Sequence, residues 1–348
     1  MTMKEEYTDF AMQKSLELLA VDSPTGYTAQ AAEFVVKEFS ALGFKAQKTV
    51  KGGIIVDIGG PDAPEGSVLF AAHTDTLGGM VAEIKNNGRL RITNIGGLNA
   101  NNTETENCRI ITKFSGTYEG TLQLINASIH VNPEYSKEPR NFDSVEVVID
   151  EPVFSKEDVE ALGINVGDIV CFDPRTRITA SGYIKSRFLD DKLSVGILMG
   201  LAKIIRDEKP ELKRHVYFYI TVYEEVGHGA SGSIPENVSE IVSVDMGCIG
   251  EGLQCNEHQV SICAKDSGGP YSYDITKALI EAAISADADY AVDIYPFYGS
   301  DVEATLRSGH DIRHGLIGPG VYASHGYERS HKDAVRNTLK LLKAYTTR

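Results

Sequence analysis

The sequence predicts an α/β fold, in which an α/β/α domain is interrupted by a small inserted β-barrel domain. Helical spacing alternates with short apolar runs up to residue 75. Many short β-branched runs without helical periodicity then follow, and the α/β alternation returns near residue 186. We therefore assign residues 1–75 and 186–348 to one discontinuous α/β domain, and residues 76–185 to the insertion.

The segment before the insertion is predicted to contain two helices and two strands. Apolar spacing indicates a helix over 5–20. Thr28 is typical of an N-cap for a second helix that ends near Leu42, where Gly43 suits the C-terminal position. The strands are expected at 54–58 and 68–72.

The insertion is predicted to be a small barrel or sandwich, with one short helix over 155–162. Its short β-branched runs are separated by Gly, Asn and Pro. They lie at 90–95, 109–114, 121–125, 145–149 and 168–172.

The segment after the insertion is predicted to alternate again between helices and strands. Helices are expected at 191–207, 271–286, 302–308 and 330–345. Strands are expected at 216–222, 241–244, 290–294 and 312–317.

Charge and cysteine usage exclude several classes of protein. With 34 Lys+Arg against 49 Asp+Glu, the net charge of −15 argues against a nucleic-acid or anionic-membrane partner. The longest apolar stretch, 193–202, is too short to span a bilayer, and no signal peptide is recognisable at the N-terminus. Five scattered cysteines without a C-x-x-C pair predict neither a disulfide framework nor a thiolate metal site, and favour a reducing cytoplasm.

Polar side chains stand at the boundaries of several predicted elements. His73 and Asp75 follow an apolar strand and share one face of it, so they suit a metal ligand and the carboxylate that orients it. A solvated strand end is the alternative. Asp190 opens a predicted helix. It is either part of an acidic first turn, which the helix dipole favours, or a carboxylate that bridges two cations.

Two adjacent glutamates, Glu224 and Glu225, follow the apolar strand at 216–222. Both reach one site only where the strand ends or bulges, which Gly227 permits. Functionally, one glutamate would bind metal and the other would accept a proton from metal-bound water. The alternative is a glutamate pair in a solvated turn.

Asp245 ends another predicted strand, and His325 lies in a loop after the strand at 312–317. Ligands of open α/β sheets bind outside the carboxyl ends of the strands, so these motifs point to one common site. A lone loop histidine is usually a surface residue, and His310, His314 and His331 are nearby competitors.

Together these residues predict two divalent metal ions that share Asp190. The first ion would be bound by His73, Asp190 and Asp245, and the second by Asp190, Glu225 and His325. Imidazole and carboxylate ligands without thiolate suit zinc, cobalt or manganese. Two ions about 3.5–4 Å apart acidify a shared bridging water, and Glu224 would be the general base.

This ordered set of motifs resembles one known family: the dinuclear-zinc aminopeptidases that include the glutamyl aminopeptidases and the tetrahedral (TET) peptidases, metallopeptidase family forty-two. The resemblance covers most of the chain, with the insertion after Asp75 in the matching place. Its motifs are Ala72-His73-Thr74-Asp75, Leu189-Asp190-Asp191-Lys192, Glu224-Glu225-Val226-Gly227, Asp245, Gly299-Ser300-Asp301 and His325. The run Tyr327-Glu328-Arg329 resembles a divergent subgroup encoded with enzymes that make a small dipeptide osmoprotectant.

The resemblance implies a phosphorylase/hydrolase-like α/β/α catalytic domain and a PDZ-like barrel that serves as lid and in oligomerisation. It implies Asp190 as the bridging ligand, Glu224 as the general base and Asp75 as the partner that tunes His73. The implied terminal ligands are His73, Glu225, Asp245 and His325. It also implies dimers that assemble into a tetrahedral dodecamer, and a bond before Asp191 that is often cis. The family usually has serine after the last histidine, whereas Gly326 stands here.

The expected function is that of a cytoplasmic dimetal aminopeptidase acting on short peptides. The alternatives are a dimetal deacylase or amidase of N-acyl amino acids or small blocked dipeptides, and a non-catalytic metal-binding assembly protein. A glycosidase using Glu224 and Glu225 is disfavoured, because neighbouring residues rarely achieve the roughly 5–9.5 Å separation that such catalysis needs.

Overall fold

The computed structural model describes residues 3–348 and divides the chain into two compact units. The larger unit contains the chain up to Asp75 and again from Arg175 onward, and the smaller unit contains Thr76–Pro174. The chain thus returns to the larger unit before the predicted position 186. The reason is that the strand Tyr183–Ser186 pairs with the late strand Glu328–His331 of the same unit.

Seven α-helices and nineteen strands are present among the described residues. The helices are α1 Glu5–Leu19, α2 Ala29–Ala41, α3 Lys156–Ala161, α4 Leu189–Glu208, α5 Tyr273–Ser285, α6 Asp301–Arg307 and α7 Lys332–Thr346. The strands are β1 Lys45–Lys48, β2 Ile54–Gly59, β3 Ser67–His73, β4 Gly78–Ile84, β5 Leu90–Ile95, β6 Asn107–Ile111, β7 Thr117–Leu124, β8 Val145–Ile149, β9 Ile169–Phe172, β10 Arg177–Ile178, β11 Tyr183–Ser186, β12 Val216–Thr221, β13 Val238–Val244, β14 Gly247–Ile249, β15 Val260–Asp266, β16 Gly269–Pro270, β17 Tyr290–Ile294, β18 Arg313–Tyr322 and β19 Glu328–His331.

The larger unit is built on one mixed sheet whose main path runs β1-β2-β12-β3-β13-β18-β19-β11-β10. Its central strands β12, β3, β13 and β18 are mutually parallel. All seven residues of β3 are buried, which is the pattern of a parallel strand covered on both faces.

Both faces of this sheet carry helices, which confirms the predicted α/β/α arrangement. Leu69 of β3 lies in a buried cluster with Val302 of α6. The next residue, Phe70, points to the opposite face, where its ring lies 6.2 Å from that of Tyr345 in α7. Successive side chains of β3 therefore belong to different layers of the core.

The smaller unit is a closed barrel with the strand order β4-β5-β8-β7-β6-β9. This decides between the predicted barrel and sandwich in favour of the barrel. The helix α3 is present as predicted, and a capping box between Ser155 and Asp158 defines its start. The strand β4 was not predicted, because its two glycines, Gly78 and Gly79, weaken the β-type pattern.

Other elements also differ from the sequence-based expectation, and the short strands β1, β10, β11, β14 and β16 were not predicted. The helix expected from residue 330 begins at Lys332, because β19 occupies Glu328–His331 as a strand that pairs with β11. The strand β15 was missed altogether. In α4, Asp190 and Asp191 have non-helical backbone angles, so regular helical structure starts after them.

Within residues 3–348, no helix combines the length and the apolar character that crossing a bilayer requires.

Candidate metal centre

The candidate site lies at the carboxyl ends of four neighbouring strands. β12, β3, β13 and β18 run parallel and side by side, so their carboxyl ends meet at the same edge of the sheet. β3 ends at His73, and Asp245 directly follows β13. Glu224 and Glu225 come three and four residues after Thr221, the end of β12, in a single 3₁₀ turn. His325 follows β18.

Asp190 lies at the centre of this group and faces two histidines with its two carboxylate oxygens. Its Oδ1 is 3.1 Å from Nε2 of His73, and its Oδ2 is 3.5 Å from Nε2 of His325. The side chains of His73 and Asp190 are 1% and 10% exposed. One buried carboxylate thus connects residues that are more than a hundred positions apart in the chain.

The predicted ligands fall into two groups that share Asp190. One group consists of His73, Asp190 and Asp245, and the other of Asp190, Glu225 and His325. Within each group, one ligand atom per residue lies within 4.8 Å of the others. The Oε2 atom of Glu225 is 3.6 Å from Nε2 of His325. These groups have the composition that the sequence predicts for two ions.

Glu224 belongs to neither group but lies beside them. Its Oε2 atom is 3.6 Å from Nε2 of His73, on the side of the ring that faces Asp190. Its backbone N–H donates to Oδ1 of Asp75 at 3.2 Å. The carboxylate of Glu224 therefore lies beside His73, and a hydrogen bond to Asp75 holds its backbone.

Asp75 contacts His73 in a different manner from the one expected. The nearest oxygen to Nδ1 of His73 is the backbone carbonyl of Asp75, at 2.9 Å, whereas the carboxylate Oδ1 is 3.6 Å away. The carboxylate accepts the Thr25 hydroxyl at 2.6 Å and the backbone N–H groups of Glu224 and Glu225 at 3.2 and 3.4 Å. Asp75 thus joins the His73 ring to the turn that carries both glutamates.

The backbone around the site is held in uncommon conformations. Phe188, Tyr223 and His325 all have positive φ, between 60° and 71°, although none is glycine. Such residues persist only where the surrounding structure holds them, and they cluster at functional sites. The peptide bond between Asp190 and Asp191 is cis.

Glu328 is a contributor that sequence reasoning did not identify. Its side chain is 1% exposed. Its Oε2 accepts the backbone N–H of Asp190 at 3.1 Å, and its Oε1 accepts that of His325 at 3.0 Å. One buried carboxylate therefore positions the backbones of two candidate ligands. The only signal in the sequence is an acidic residue three positions after His325, which is too common a pattern to be diagnostic.

Burial governs the protonation of the site. It raises the pKa of Glu224 and Glu225 well above the usual value, with neighbouring carboxylates adding to the effect. It raises the pKa of Asp245 to about 7, with the charge of Asp190 as the next cause. Burial also acts to raise the pKa of Asp190, but hydrogen bonds from His325 and His73 outweigh it and hold the pKa below its ordinary value.

These residues fit a pair of divalent cations. Several carboxylates lie close together here, and the charge effects on the pKa values of Glu224, Glu225 and Asp245 come from other carboxylates and from His73. Such a cluster is unfavourable unless a cation compensates the charge. The donors are imidazole nitrogens and carboxylate oxygens, a set that suits zinc, cobalt and manganese.

A cavity of about 430 Å³ opens directly onto the group. Asp190, Glu224 and Glu225 form its acidic wall, and Phe297 and Tyr298 contribute aromatic surface. Its remaining lining residues are Gly227, Asp245, Met246, Cys248, Gly299, Ser300, Glu303, Ala304, Arg307, Ser324 and His325. The cavity has the size of a small-ligand site. Of the lining residues between Phe297 and Ala304, the sequence identified only Gly299 and Ser300.

Known proteins resemble this chain over nearly its whole length. The sequence pattern of the M42 glutamyl aminopeptidase family matches residues 52–341. A Bacillus subtilis (strain 168) protein named "Putative aminopeptidase YhfE" is 46% identical over 334 residues, which is 96% of each chain.

Two solved structures share the fold. The TET aminopeptidase of a marine sediment archaeon of the Thaumarchaeota has a TM-score of 0.87 at 18% identity, and covers 97% of each chain. The TET1 peptidase of Pyrococcus horikoshii, which can assemble into a tetrahedron or a large octahedral shell, has a TM-score of 0.84 at 22% identity. The alignment covers 97% of this chain and 99% of that one. The chain therefore belongs to the M42 glutamyl aminopeptidase family and is a metal-dependent aminopeptidase.

Proposed function

We propose that this chain removes N-terminal residues from short peptides with two divalent cations that Asp190 bridges. The observation that carries the proposal is the placement of Asp190: its two oxygens face two different histidines, and each histidine has a further carboxylate in its group. We propose His73 and Asp245 as terminal ligands of one ion, and Glu225 and His325 as those of the other.

Bound there, two cations would polarise the peptide carbonyl and lower the pKa of a water molecule shared between them. Glu224 would take the proton from that water and deliver it to the departing amine. Two observations support this role: its carboxylate lies 3.6 Å from Nε2 of His73, and Asp75 accepts its backbone N–H. General acid–base catalysis of this kind typically contributes about 10²–10⁴ in rate.

The proposed substrate has a free N-terminus, because the chain belongs to an aminopeptidase family. The cavity beside Glu224 and Glu225 would receive that end of the peptide. The cavity holds a few residues of a peptide rather than a folded chain. A short peptide with an unblocked amine is therefore the proposed substrate class.

The decisive variant is Glu224→Gln. We expect it to retain its bound metal and to lose about 10²–10⁴ in kcat, because the amide cannot accept the proton. Metal content measured by mass spectrometry and hydrolysis of aminoacyl anilides would test this. Glu225→Gln is the matched control, since it should lose metal as well as activity. Turnover at the wild-type rate in Glu224→Gln would refute the proposed base.

The substrate class is tested by comparing free with N-blocked dipeptides. Faster hydrolysis of the blocked dipeptides would indicate a deacylase and would contradict our proposal. Adding zinc, cobalt or manganese separately to chelated enzyme would show which ion supports the activity.

The assembly and the compartment remain proposals. We infer a homo-oligomer built from dimers, with a tetrahedral dodecamer as the specific form, because the Pyrococcus horikoshii relative can assemble into a tetrahedron. We infer a cytoplasmic protein, since its five cysteines are all free thiols.

A further inference from the structure

A second group of potential metal ligands lies outside the site already described. It consists of His258, which precedes β15, His331 at the end of β19, and Asp333 in the first turn of α7. One ligand atom from each residue lies within 4.8 Å of the others. His331 is buried, while His258 and Asp333 are partly exposed, so an ion from solvent can reach the group.

The distances within this group match a metal site with short bonds. Oδ2 of Asp333 is 3.0 Å from Nδ1 of His258 and 3.1 Å from Nδ1 of His331. In a tetrahedral zinc site with bonds of about 2.0–2.1 Å, neighbouring ligand atoms are about 3.3 Å apart. Both distances are within a few tenths of an ångström of that spacing, and all three ligand atoms lie within 4.8 Å of one another.

The Nε2 atoms of both rings have polar partners, and their Nδ1 atoms face Asp333. Nε2 of His331 is 2.7 Å from the backbone carbonyl of Ser181, which can only accept, so this nitrogen carries the proton. Nε2 of His258 is 3.2 Å from the hydroxyl of Tyr183 and can donate to it. A hydrogen bond on the far nitrogen is the usual arrangement of a metal-binding histidine.

Where His331 faces Asp333, two hydrogen-bond acceptors lie close together. With its proton on Nε2, His331 presents the lone pair of Nδ1 towards Oδ2 of Asp333. The backbone N–H of Asp333 donates to this nitrogen at 3.0 Å, and a cation bound at Nδ1 would take the place of that hydrogen bond. The cation would also relieve the repulsion between this nitrogen and the carboxylate. The other oxygen of Asp333 accepts from Arg336 at 2.5 Å, and Arg336 is balanced by Glu5.

We propose that His258, His331 and Asp333 bind one divalent ion of the zinc class, separate from the two at the active site. Two imidazoles and one carboxylate suit such an ion, with solvent as the remaining ligand. The ion would join the loop before β15 to the start of α7 and so fasten the C-terminal helix to the sheet. It would also lie on β19, the strand whose first residue, Glu328, positions Asp190 and His325.

The test is a count of bound ions on the full-length chain. The chain is chelated, incubated with Zn²⁺ or with Co²⁺, freed of unbound metal and analysed by mass spectrometry. We expect His258→Gln to bind one ion per chain fewer than wild type, and Asp333→Asn to do the same. His130→Gln, which changes an exposed histidine of the smaller unit, is the matched control and should bind as many ions as wild type.

The same variants are also compared in an Asp190→Asn background, where binding at the active site is impaired. There His258→Gln should still remove one ion, and should abolish the rise in Tm that Zn²⁺ produces in Asp190→Asn alone. Equal ion counts in His258→Gln and His130→Gln in both backgrounds would overturn the proposal. Each comparison measures the change in ion count that His258→Gln causes within one background. The result is therefore independent of whether the proposed active-site ligands are correct.

Discussion

Glu328 shows how a single buried residue can control a site without touching a substrate. Its two carboxylate oxygens accept the backbone N–H groups of Asp190 and His325. An amide side chain has one oxygen only, so in Glu328→Gln one of these N–H groups would face an NH₂ group instead. We expect metal affinity at the active site to fall by about 10–100-fold, the range typical of residues that support metal ligands.

Metal titration by calorimetry would measure this change. Glu257→Gln is the control, because Glu257 pairs with Arg329 near the same strand but does not contact the backbone of either ligand. An unchanged metal affinity in Glu328→Gln would show that the two hydrogen bonds do not position the ligands.

Glu303 at the cavity wall should make stability depend on pH. Burial raises its pKa to about 7, and a hydrogen bond with Asp266 contributes. In the folded chain the carboxyl group keeps its proton up to about pH 7, whereas in the unfolded chain it loses the proton near its usual pKa of 4.5. Between pH 4.5 and pH 7 the folded state therefore binds more protons than the unfolded state. The contribution of Glu303 to stability is complete below pH 4.5 and is lost as the pH rises through 7.

Glu303→Gln should therefore flatten the pH dependence of the free energy of unfolding between pH 4.5 and pH 7. The expected difference is of the order of 2 kcal/mol, since each pKa unit corresponds to about 1.4 kcal/mol and partial exposure reduces the effect. Urea denaturation at several pH values would measure it, with the exposed Glu251→Gln as control. If the free energy of unfolding of Glu303→Gln changed with pH as steeply as that of wild type, the folded chain would not hold this proton on Glu303.

At the scale of elements, α4 depends on close packing against α1. A Cβ atom on Gly196 would lie 2.1 Å from Oγ of Ser15 and 2.7 Å from the carbonyl oxygen of Ala11. Gly196→Ala should destabilise the protein by about 1–3 kcal/mol, because the overpacking exceeds the gain in helix propensity. The control Gly232→Ala has no heavy atom within 4 Å and should change stability by less than about 0.5 kcal/mol. Thermal denaturation of both variants would test the contact.

The strand β19 shows where local patterns mislead at this scale. Residues 330 and 331 fit a helical pattern that continues into α7, yet they pair with β11. His331 then caps α7 by accepting the N–H of Asp333 on its side chain. Tertiary pairing overrides a local preference here, because the ladder satisfies backbone groups that the helix start leaves unpaired.

At the scale of the whole molecule, the barrel has the features of an independently folding unit. Its six strands close on themselves and leave no open edge, and its core contains fully buried Ile92, Ile110, Leu122 and Val147. A chain of residues 76–174 should therefore unfold cooperatively, with a free energy of about 5–15 kcal/mol, as is usual for a single domain. Circular dichroism during urea titration would measure it. The control Ile110→Asp should abolish the transition, and a non-cooperative wild-type segment would disprove the expectation.

The sequence by itself determined the α/β class, the inserted β-rich segment and the residue types of the candidate site. It could do so because the side-chain periodicity of strands and helices is local, and because acidic residues and histidines at the ends of apolar runs are visible without coordinates. The places of these residues also predicted the grouping around Asp190, which the family resemblance implies as well and whose oxygens the structure shows facing His73 and His325.

The sequence predicted His325 as a ligand over its neighbours His310, His314 and His331, and only the tertiary structure decided what these histidines contact. It placed His325 at Asp190, but brought His331 together with His258 at a separate group. It also revealed Glu328 and the contacts of the Asp75 carboxylate with the turn at Glu224. Such convergence depends on strand order and on backbone hydrogen bonds between distant segments, which no local pattern in the chain encodes.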